Sequence, residues 1–455
     1  MHVTDLYPFF EHGTELIIQP IGGIICKPID PDNLLLSSTV QLNQLATYVA
    51  ANCNGHQSVE SILNNVEFNF TGKEFNSAES ASKLISDMGR MGILRFSDTP
   101  QYYNSLDVKG SAEYFTPLHF SIEMTNHCNL NCKHCYNDSG PARKQFLPTE
   151  KTKLLFEILA ENGVRTIELT GGEPLTHPGF FSILKKAITE FERVAIITNG
   201  TLIDQKFIDL IREYSKKIIV QIDLDGDTSG IHDALRGKVG AFRKACRAAA
   251  MLKECGIFFR VVMNVHSGNL DRVNQTALLA KELGASVFSF APIVEVGRAS
   301  AIELLSNYTQ VEEFLSLVRN LEEMYPDFIK VSAEFPRNEH SAENCGGGWR
   351  TLTMGPTGNI RPCNMLSEDE GSFGNLFDED YEDLLQRIPS IYHYHLKTPS
   401  DETCKECNSN FFCRGCFTRP FHANNKELLI DSSFVCHWNE FTSYFDMMKS
   451  YSSRS

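Results

Sequence analysis

Residues 118–135 read LHFSIEMTNHCNLNCKHC and join a predicted strand to a cysteine motif. The segment LHFSIEMT is short and largely apolar, which predicts a buried strand that ends at Thr125. Cys128, Cys132 and Cys135 follow within eight residues. Three thiolates at this spacing can ligate three irons of one iron–sulfur cube and leave the fourth iron without a protein ligand. The motif therefore favours an open iron site that binds a small molecule.

A zinc site is the alternative interpretation of the three cysteines. Structural zinc takes four ligands, and the fourth could be His134 or His127. The position of the motif directly after a first strand favours the iron–sulfur interpretation.

Strand and helix patterns alternate from about residue 116 to about residue 310. The predicted strands are LHFSIEMT, RTIELTGG, RVAIITNG, KIIVQIDLDG, IFFRVVMNVH and SVFSFAPIV. Amphipathic stretches such as TEKTKLLFEILAENG lie between them. This alternation predicts the α/β class, with a parallel sheet and right-handed crossovers. Six units suggest a partial, TIM-like (β/α)6 barrel with its site at the carboxyl ends of the strands.

Polar or glycine-rich residues follow several of these strands. The motifs are Thr170-Gly171-Gly172-Glu173-Pro174, Ile197-Thr198-Asn199-Gly200, Asp223-Leu224-Asp225-Gly226 and His232-Asp233-x-x-Arg236-Gly237. Paired glycines let the backbone approach a ligand closely, and a carboxylate can accept a hydrogen bond from an ammonium group. Each motif alone could be an ordinary loop or a solvated charge.

Taken together, in order and one per strand, these motifs resemble the radical S-adenosylmethionine (SAM) superfamily over about residues 116–310. The resemblance implies that SAM chelates the open iron and is cleaved to a 5′-deoxyadenosyl radical. It implies an amino-group contact for the GGEP motif and a carboxylate contact for Arg236. Asp223 stands where serine is commoner near the ribose. The implied cofactor-binding residues are Gly171, Gly172, Glu173, Pro174, Thr198, Asn199, Asp223 and Arg236.

A second cysteine set lies near the C-terminus, where the helical pattern fades after about residue 326. Its members are Cys345, Cys363 in Gly358-x4-Cys363, Cys404, Cys407, Cys413, Cys416 and Cys436. Seven cysteines exceed one tetrahedral zinc site, although a zinc ribbon built from the four between residues 404 and 416 is an alternative. A region poor in regular core is commonly held together by bound metal.

This set resembles the SPASM domain, with one residue fewer between Cys413 and Cys416. The resemblance implies two auxiliary [4Fe–4S] clusters, which makes three clusters with the first. The implied outer ligands are Cys404, Cys407, Cys413 and Cys436, and the implied inner ligands are Cys345, Cys363 and Cys416. With three cysteines, the inner cluster could accept a substrate thiolate, since soft sulfur is a preferred ligand there. A ligand other than cysteine, or water, is the alternative.

Residues 1–97 predict three strands, three helices and a closing strand. The predicted strands are Glu15–Pro20, Gly23–Ile29, Asn33–Ser38 and Ile93–Phe96, and the helical patterns cover residues 39–50, 58–66 and 77–92. The arrangement resembles the PqqD-like winged-helix element that recognises peptides. The resemblance implies that a leader peptide adds to the edge Leu34–Ser38 and lies against the helix Ala78–Met91. The alternative is a DNA-binding winged helix, but these two segments carry few Lys or Arg residues.

Composition limits the partners. The chain has 42 Lys and Arg against 57 Asp and Glu, a net charge of −15, so we expect no general attraction to nucleic acid or anionic membranes. No signal-peptide pattern or membrane-length apolar run is present in the sequence, which predicts a cytoplasmic protein. In that compartment the 14 cysteines favour metal binding over disulfides. Cys26, Cys53, Cys246 and Cys255 fit small buried hydrophobes.

The predicted order is a leader-recognition domain (1–97), a linker (98–115), the barrel (116–310), a bridging region (311–344) and the SPASM domain (345–455). This order resembles maturases of ribosomal peptides that form sactipeptide or ranthipeptide thioethers. The resemblance implies a precursor peptide as substrate and an external electron donor such as flavodoxin or ferredoxin. Alternatives are carbon–carbon crosslinking of the PqqE kind, epimerisation, and a non-catalytic, metal-stapled peptide-binding scaffold. The general base stays unassigned, although Asp223, Glu295 and Glu334 lie near predicted strand ends.

Overall fold

The computed structural model describes most of the chain. The described residues are 3–27, 39–70, 77–101, 106–305, 308–331, 344–400, 402, 404, 407, 413, 415–425, 438 and 441–452. Three predicted features lie outside them: the strand Asn33–Ser38, Glu334 and Cys436. The chain forms two compact units, Met1–Thr116 with Leu159–Gly163, and Pro117–Ile158 with Val164–Ser455.

The described residues of the first unit form two small sheets and three helices. Its strands are β1 (Tyr7–Phe10), β2 (Thr14–Gln19), β3 (Gly22–Cys26), β4 (Thr39–Leu42), β5 (Leu94–Ser97) and β6 (Leu106–Gly110). Its helices are α1 (Gln44–Asn52), α2 (Val59–Asn69) and α3 (Ser77–Arg90), after a short 3-10 turn at Val3–Asp5. β1 pairs with β5, and the other strands form a sheet in the order β4-β3-β2-β6. Leu16, Ile25, Val49, Ile62 and Ile85 lie in the shared apolar core.

Two predictions for the first unit were wrong. Thr39–Leu42 is a strand that pairs with β3, not the start of a helix. The helix begins only at Gln44, because the Asn43 side chain accepts a hydrogen bond from the Ala46 backbone N–H (2.8 Å) and so caps the helix. The predicted linker 98–115 is not simply a linker, since it contains β6, which pairs in parallel with β2. Strand β1 was not predicted at all.

The second unit is built on a nine-stranded sheet. Six parallel strands follow chain order: β7 (His119–Glu123), β8 (Thr166–Thr170), β9 (Arg193–Thr198), β10 (Ile218–Asp223), β11 (Phe259–Val265) and β12 (Val287–Pro292). They confirm the six predicted strands. Three further strands, β13 (Thr351–Met354), β14 (Asn359–Arg361) and β15 (Gly374–Asn375), extend the sheet beyond β7. β13 runs parallel to β7, and β14 and β15 then continue antiparallel.

Helices connect the strands and continue to the end of the described chain. They are α4 (Thr149–Glu161), α5 (Phe180–Glu190), α6 (Gln205–Arg212), α7 (Ser229–Arg236), α8 (Ala241–Glu254), α9 (Val273–Glu282), α10 (Tyr308–Met324), α11 (Glu368–Gly371), α12 (Tyr381–Arg387), α13 (Ser390–His395), α14 (Thr418–Asn425) and α15 (Phe441–Ser452). Short 3-10 turns occur at Pro174–Thr176, Leu270–Arg272 and Gly297–Ala301. After about residue 326, where the helical pattern fades, the described helices are short, from 4 to 12 residues each. No helix within the described ranges is long and apolar enough to cross a bilayer.

The common direction of the parallel strands determines where the candidate site lies. Apolar residues such as Phe120 and Val194 are fully buried, and polar residues occupy the strand ends. Because β7 to β10 are parallel, Glu123, Thr170 and Asp223 lie at the same edge of the sheet. This carboxyl edge is where parallel α/β folds place their sites.

Candidate functional site

The first cysteine loop follows β7 at the carboxyl edge. Cys128 and Cys132 are buried, with 7% and 8% of their surface exposed, and Cys135 is partly buried beside them. Backbone N–H groups of Leu130 and Ser139 donate to the sulfurs of Cys128 and Cys135, each at 3.4 Å. Burial raises the pKa of the Cys128 thiol to about 12. Such thiols become thiolates when a metal binds them.

The loop after β12, which contains Gly297 and Arg298, also contacts the cysteine loop. The Arg298 backbone N–H donates to the Cys135 carbonyl, and its side-chain Nε donates to the Cys132 carbonyl, both at 3.0 Å. A Cβ on Gly297, whose φ is +62°, would lie 2.3 Å from the Cys135 carbonyl oxygen. Sequence reasoning missed both residues. The sequence feature that could have indicated these two residues is the Gly-Arg pair after the sixth predicted strand.

The two glycines of the GGEP motif lie directly against the cysteine loop. A Cβ on Gly171 would lie 2.4 Å from the Thr125 carbonyl oxygen, and one on Gly172 would lie 2.1 Å from that of His127. The Gly172 N–H donates to Thr125 (2.6 Å) and the Glu173 N–H donates to His127 (2.9 Å). The close approach that these glycines permit is therefore an approach to the cysteine loop itself.

Glu173 joins the ends of β8 and β9. Its Oε1 accepts from the Thr198 hydroxyl (2.7 Å) and its Oε2 accepts from the Asn199 backbone N–H (2.9 Å). The side chain is fully buried, and burial raises the pKa of the carboxyl to about 7. Pro174 begins the short turn that follows. Thr198 and Asn199 are thus brought together with Glu173, as predicted from their strand-end positions.

Asn199 extends this contact to the first cysteine. Its Nδ2 donates to Asn129 Oδ1 at 3.0 Å and approaches the Cys128 sulfur at 3.8 Å. Its Oδ1 accepts from the Thr201 hydroxyl at 2.6 Å. The amide is therefore held in one orientation beside the cysteine loop.

Arg236 connects the fourth strand to the second cysteine. Its Nη1 contacts Asp223 at 3.1 Å, its Nε contacts Asp225 at 2.6 Å, and Nη1 also approaches the Cys132 sulfur at 3.9 Å. Burial alone would raise the pKa of Asp225, but the adjacent Arg236 charge holds that pKa well below its usual range. Burial raises the pKa of Asp223 in spite of Arg236. Arg236 Nη2 is buried and has no hydrogen-bond partner among the described residues.

Asp225 is fixed by Asn264 and Asn269, which sequence reasoning did not single out, and by His232 of the fourth motif. The Asn264 backbone N–H donates to its Oδ1 at 3.0 Å, and Asn269 Nδ2 donates to its carbonyl at 2.9 Å. The Asp225 N–H donates to His232 Nδ1 at 3.1 Å. Burial lowers the pKa of His232 to about 4, which keeps its imidazole neutral. The only sequence signal for Asn264 was its place near the end of the fifth strand.

His134 lies in the cysteine loop as a neutral side chain. Burial lowers the pKa of this imidazole to about 4, and its Nδ1 is buried without a hydrogen-bond partner in the described part of the chain. Within the same part, no group of three or more His, Cys, Asp or Glu side chains is arranged to hold one metal ion.

Three cysteines of the second set lie near one another. Burial raises the pKa of the Cys363 thiol to about 12, and negative charge on Cys416 and Cys345 raises it further. Cys345 is the exposed member of this group, and Cys363 and Cys416 are partly buried. Tyr444 of α15 is fully buried, and its burial, together with negative charge on these three cysteines, raises the pKa of its hydroxyl. The three predicted inner ligands therefore lie within range of one another's charge, and their assignment to one cluster stays a prediction.

The predicted outer ligands are described only in part. Cys404 is buried, and Cys407 and Cys413 are partly buried. Backbone hydrogen bonds run from the Cys407 N–H to the Cys404 carbonyl (3.0 Å) and from the Cys416 N–H to the Cys413 carbonyl (2.9 Å). These are the tight turns that short C-x2-C spacings produce. The structure does not describe Cys436.

The chemistry of these residues fits the implied cofactors. Thiolates are the ligands of [4Fe–4S] clusters, and Cys128, Cys132 and Cys135 supply three of them on one loop. The buried Nη2 of Arg236, beside Cys132, is a charged donor suited to a carboxylate.

Comparison with known families identifies two domains. Residues 122–280 match the radical SAM superfamily, and residues 345–408 match the SPASM domain, described as an iron–sulfur cluster-binding domain. The chain contains a radical SAM domain and a SPASM domain. A radical SAM domain uses SAM and a [4Fe–4S] cluster, and a SPASM domain binds auxiliary iron–sulfur clusters.

Curated relatives span most of the chain. It is 28% identical over 444 residues to the antilisterial bacteriocin subtilosin biosynthesis protein AlbA of Bacillus subtilis (strain 168), covering 96% of this chain and 97% of AlbA. It is 27% identical over 285 residues to the sporulation killing factor maturation protein SkfB of the same organism, covering 61% of this chain and 67% of SkfB.

Among solved structures, the radical SAM–SPASM chain resembles Streptococcus suis SuiB. The TM-score is 0.64 at 16% identity for SuiB bound to S-adenosylmethionine, covering 93% of this chain and 99% of SuiB. For SuiB bound to its precursor peptide SuiA, the TM-score is 0.64 at 15% identity with the same coverage. These matches show a shared fold.

Proposed function

We propose that this protein is a radical SAM maturase that modifies a ribosomally made precursor peptide. In this proposal Cys128, Cys132 and Cys135 hold the first cluster. The SAM-binding residues are Gly171, Gly172, Glu173, Pro174, Thr198, Asn199, Asp223 and Arg236. The observation that carries the proposal is the position of Arg236, whose guanidinium approaches Cys132 while its buried Nη2 has no hydrogen-bond partner in the described part of the chain.

When bound, SAM and the cluster supply a 5′-deoxyadenosyl radical, which takes a hydrogen atom from the substrate. The protein's own residues bind SAM and orient it. Arg236 Nη2 binds the SAM carboxylate, and Asp223 and Asp225 hold the guanidinium in place. Glu173 Oε2 accepts one backbone hydrogen bond, from Asn199, and so has capacity to accept from the SAM ammonium.

Relatives of this chain support a peptide substrate. AlbA is a subtilosin biosynthesis protein, SkfB is a sporulation killing factor maturation protein, and SuiB has been solved with its precursor peptide. We assign leader recognition to residues 1–97, as a PqqD-like element. The described strand β4 lies at one end of its four-stranded sheet, which suits the addition of a peptide strand.

The finer proposal is that the product is a thioether between a peptide cysteine and a carbon of another residue. It rests on the three cysteines near one another, Cys345, Cys363 and Cys416, which leave one iron of an inner auxiliary cluster for a soft ligand such as a substrate thiolate. Cys404, Cys407, Cys413 and Cys436 would hold an outer cluster. Electrons would come from an external donor such as flavodoxin or ferredoxin.

Anaerobic reconstitution tests the reaction class. With SAM and a reductant, the wild-type protein should form 5′-deoxyadenosine, and a Cys128→Ala variant should not. If neither protein forms it, the radical SAM reaction is not what this chain catalyses.

Metal analysis separates the enzyme from a non-catalytic scaffold. Three [4Fe–4S] clusters predict about twelve irons per chain with matching sulfide. Two or three zincs and no sulfide would instead support a metal-stapled peptide-binding protein.

Leader recognition is tested with the whole protein. Fluorescence anisotropy should show that the complete precursor binds much more tightly than a core peptide that lacks the leader. Equal dissociation constants for the complete precursor and the core peptide would show that residues 1–97 do not recognise the leader.

A further inference from the structure

A fully buried ion pair joins β7, the first parallel strand, to β14, which lies in the region that matches the SPASM domain. Arg361 Nη2 lies 2.7 Å from Glu123 Oε2, and the two side chains are 2% and 1% exposed. Arg361 Nε and Nη1 are buried without hydrogen-bond partners among the described residues. Apolar side chains of similar volume are often at least as stable as a buried ion pair. Packing alone therefore does not account for charges at these positions.

The negative end of the pair faces the first cysteine loop. Glu123 is the last residue of β7, the strand that leads into Cys128. Its Oε1 accepts a hydrogen bond at 3.2 Å from the hydroxyl of Tyr136, the residue directly after Cys135. The carboxylate is thus tied to the loop that would hold the radical SAM cluster.

The positive end of the pair belongs to the strand that leads into the second cysteine set. Arg361 is the last residue of β14 and precedes Cys363 by two positions. Thr353 of β13 pairs with Ser121 of β7 on one side and with Arg361 on the other, which fixes the two ends across one sheet. Arg361 therefore belongs to the strand that leads to Cys363, as Glu123 belongs to the strand that leads to Cys128.

We propose that the Glu123–Arg361 ion pair sets a difference in reduction potential between the radical SAM cluster and the inner auxiliary cluster. This inference rests on the proposed function, because it assigns those clusters to Cys128, Cys132 and Cys135 and to Cys345, Cys363 and Cys416. A reduced cluster carries one more negative charge, so a nearby cation raises its potential and a nearby anion lowers it. The pair makes the first cluster the stronger reductant and the inner cluster the better electron acceptor.

The proposed thioether reaction uses such an acceptor. The peptide gives a hydrogen atom to the 5′-deoxyadenosyl radical, and its cysteine thiol gives up a proton. Formation of the carbon–sulfur bond from the carbon radical and the thiolate leaves one surplus electron. The inner cluster would take that electron and be reduced by one unit. The peptide would lose two hydrogens in all, and SAM, after receiving one electron from the first cluster, would become methionine and 5′-deoxyadenosine.

Charge-neutralising variants give the test. Redox titrations followed by electron paramagnetic resonance (EPR) would use the reconstituted full chain, with the first cluster removed by substituting Ala for Cys128, Cys132 and Cys135. The inner signal is the one lost in a further Cys363→Ala variant. Glu123→Gln should raise the potential of the inner cluster and Arg361→Gln should lower it by a larger amount, so Glu123→Gln/Arg361→Gln should lie below the wild type.

A control pair lies at the opposite end of the strands. Arg165 pairs with Glu192 just before β8 and β9 begin, so Arg165→Gln should leave the inner potential unchanged. Shifts of one sign in both single variants of the Glu123–Arg361 pair, or no shifts, overturn the inference. A missing [4Fe–4S] signal in the parent protein would instead refute the cluster assignment and with it the proposed function.

A second variant covers the case in which the single variants do not fold. Glu123→Leu/Arg361→Met replaces the pair by apolar side chains, a change that buried ion pairs commonly tolerate. With all clusters present, the first cluster is recognised because SAM changes its EPR signal. The difference between the two potentials should be smaller than in the wild type. An unchanged difference contradicts the inference.

Discussion

The backbone N–H of Asn199 donates a 2.9 Å hydrogen bond to Glu173 Oε2 and so ties the end of β9 to the loop after β8. The same Asn199 side chain approaches the Cys128 sulfur at 3.8 Å. Gly172, next to Glu173, donates to Thr125 at the start of the cysteine loop. The cysteine loop is therefore supported by two neighbouring strand ends, and changes there should act on the cluster.

Gly172→Ala should displace the cysteine loop. The new Cβ would lie 2.1 Å from the His127 carbonyl oxygen, which is backbone and cannot move aside cheaply. Overpacking of this kind costs about 1–3 kcal/mol and shifts the backbone. We expect less iron bound after reconstitution and less 5′-deoxyadenosine formed. Gly230→Ala is the matched control, because a Cβ there meets nothing within 4 Å. Equal losses in both variants would refute the steric argument.

Glu173 should make stability depend on pH. Burial raises its pKa to about 7 from an ordinary value of 4.5, so between these values the folded protein keeps a proton that the unfolded chain has released. The free energy of unfolding should therefore fall as pH rises through this range and level off above it. The loss from this one group between pH 5 and pH 8 is roughly 2–3 kcal/mol.

The measurement is urea unfolding of the metal-free, reduced protein at several pH values. Glu173→Gln removes the titrating group and so should remove this part of the slope, although it also weakens hydrogen bonds at every pH. Parallel pH profiles for wild type and variant would show that Glu173 does not titrate as described.

Arg236→Lys should weaken SAM binding while the cluster stays in place. Lysine keeps a positive charge for Asp225 but lacks a counterpart of Nη2, which has no hydrogen-bond partner among the residues that the structure describes. Loss of one hydrogen bond to a charged group predicts a dissociation constant for SAM that is roughly 10–100-fold higher. The control is Arg272→Lys, because Arg272 pairs with Asp227 through a comparable fork and is not assigned to SAM. Binding titrations that give equal SAM affinity for wild type and Arg236→Lys would remove Arg236 from the SAM site.

Much of the site could be predicted because a buried parallel strand can be recognised from a short stretch of sequence. Apolar runs that end in polar or glycine residues mark both the strand and its carboxyl end, which is how Glu173, Asn199 and Asp223 were found. The three cysteines needed only their spacing and their place after the first strand. The structure confirms all six strands and brings these residues to one edge.

What the sequence did not reveal depends on contacts between distant segments. Arg298 holds the Cys132 carbonyl from 166 positions away, and no spacing rule links them. Glu123 and Arg361 are charged residues in strands, which by pattern alone suggest solvent rather than a buried pair. Thr39–Leu42 was misassigned because a helical pattern continued through it, and only pairing with β3 and the cap at Asn43 decide the boundary.

Mass spectrometry of the modified precursor tests the central claim most directly. A cysteine-containing precursor peptide would be incubated anaerobically with the reconstituted protein, SAM and reductant, and then alkylated at free thiols. The account predicts a loss of two hydrogens per crosslink, with the participating cysteine protected from alkylation. The same mass loss with every cysteine still alkylated would contradict the thioether and indicate a carbon–carbon bond, and an unchanged mass would indicate epimerisation or no reaction.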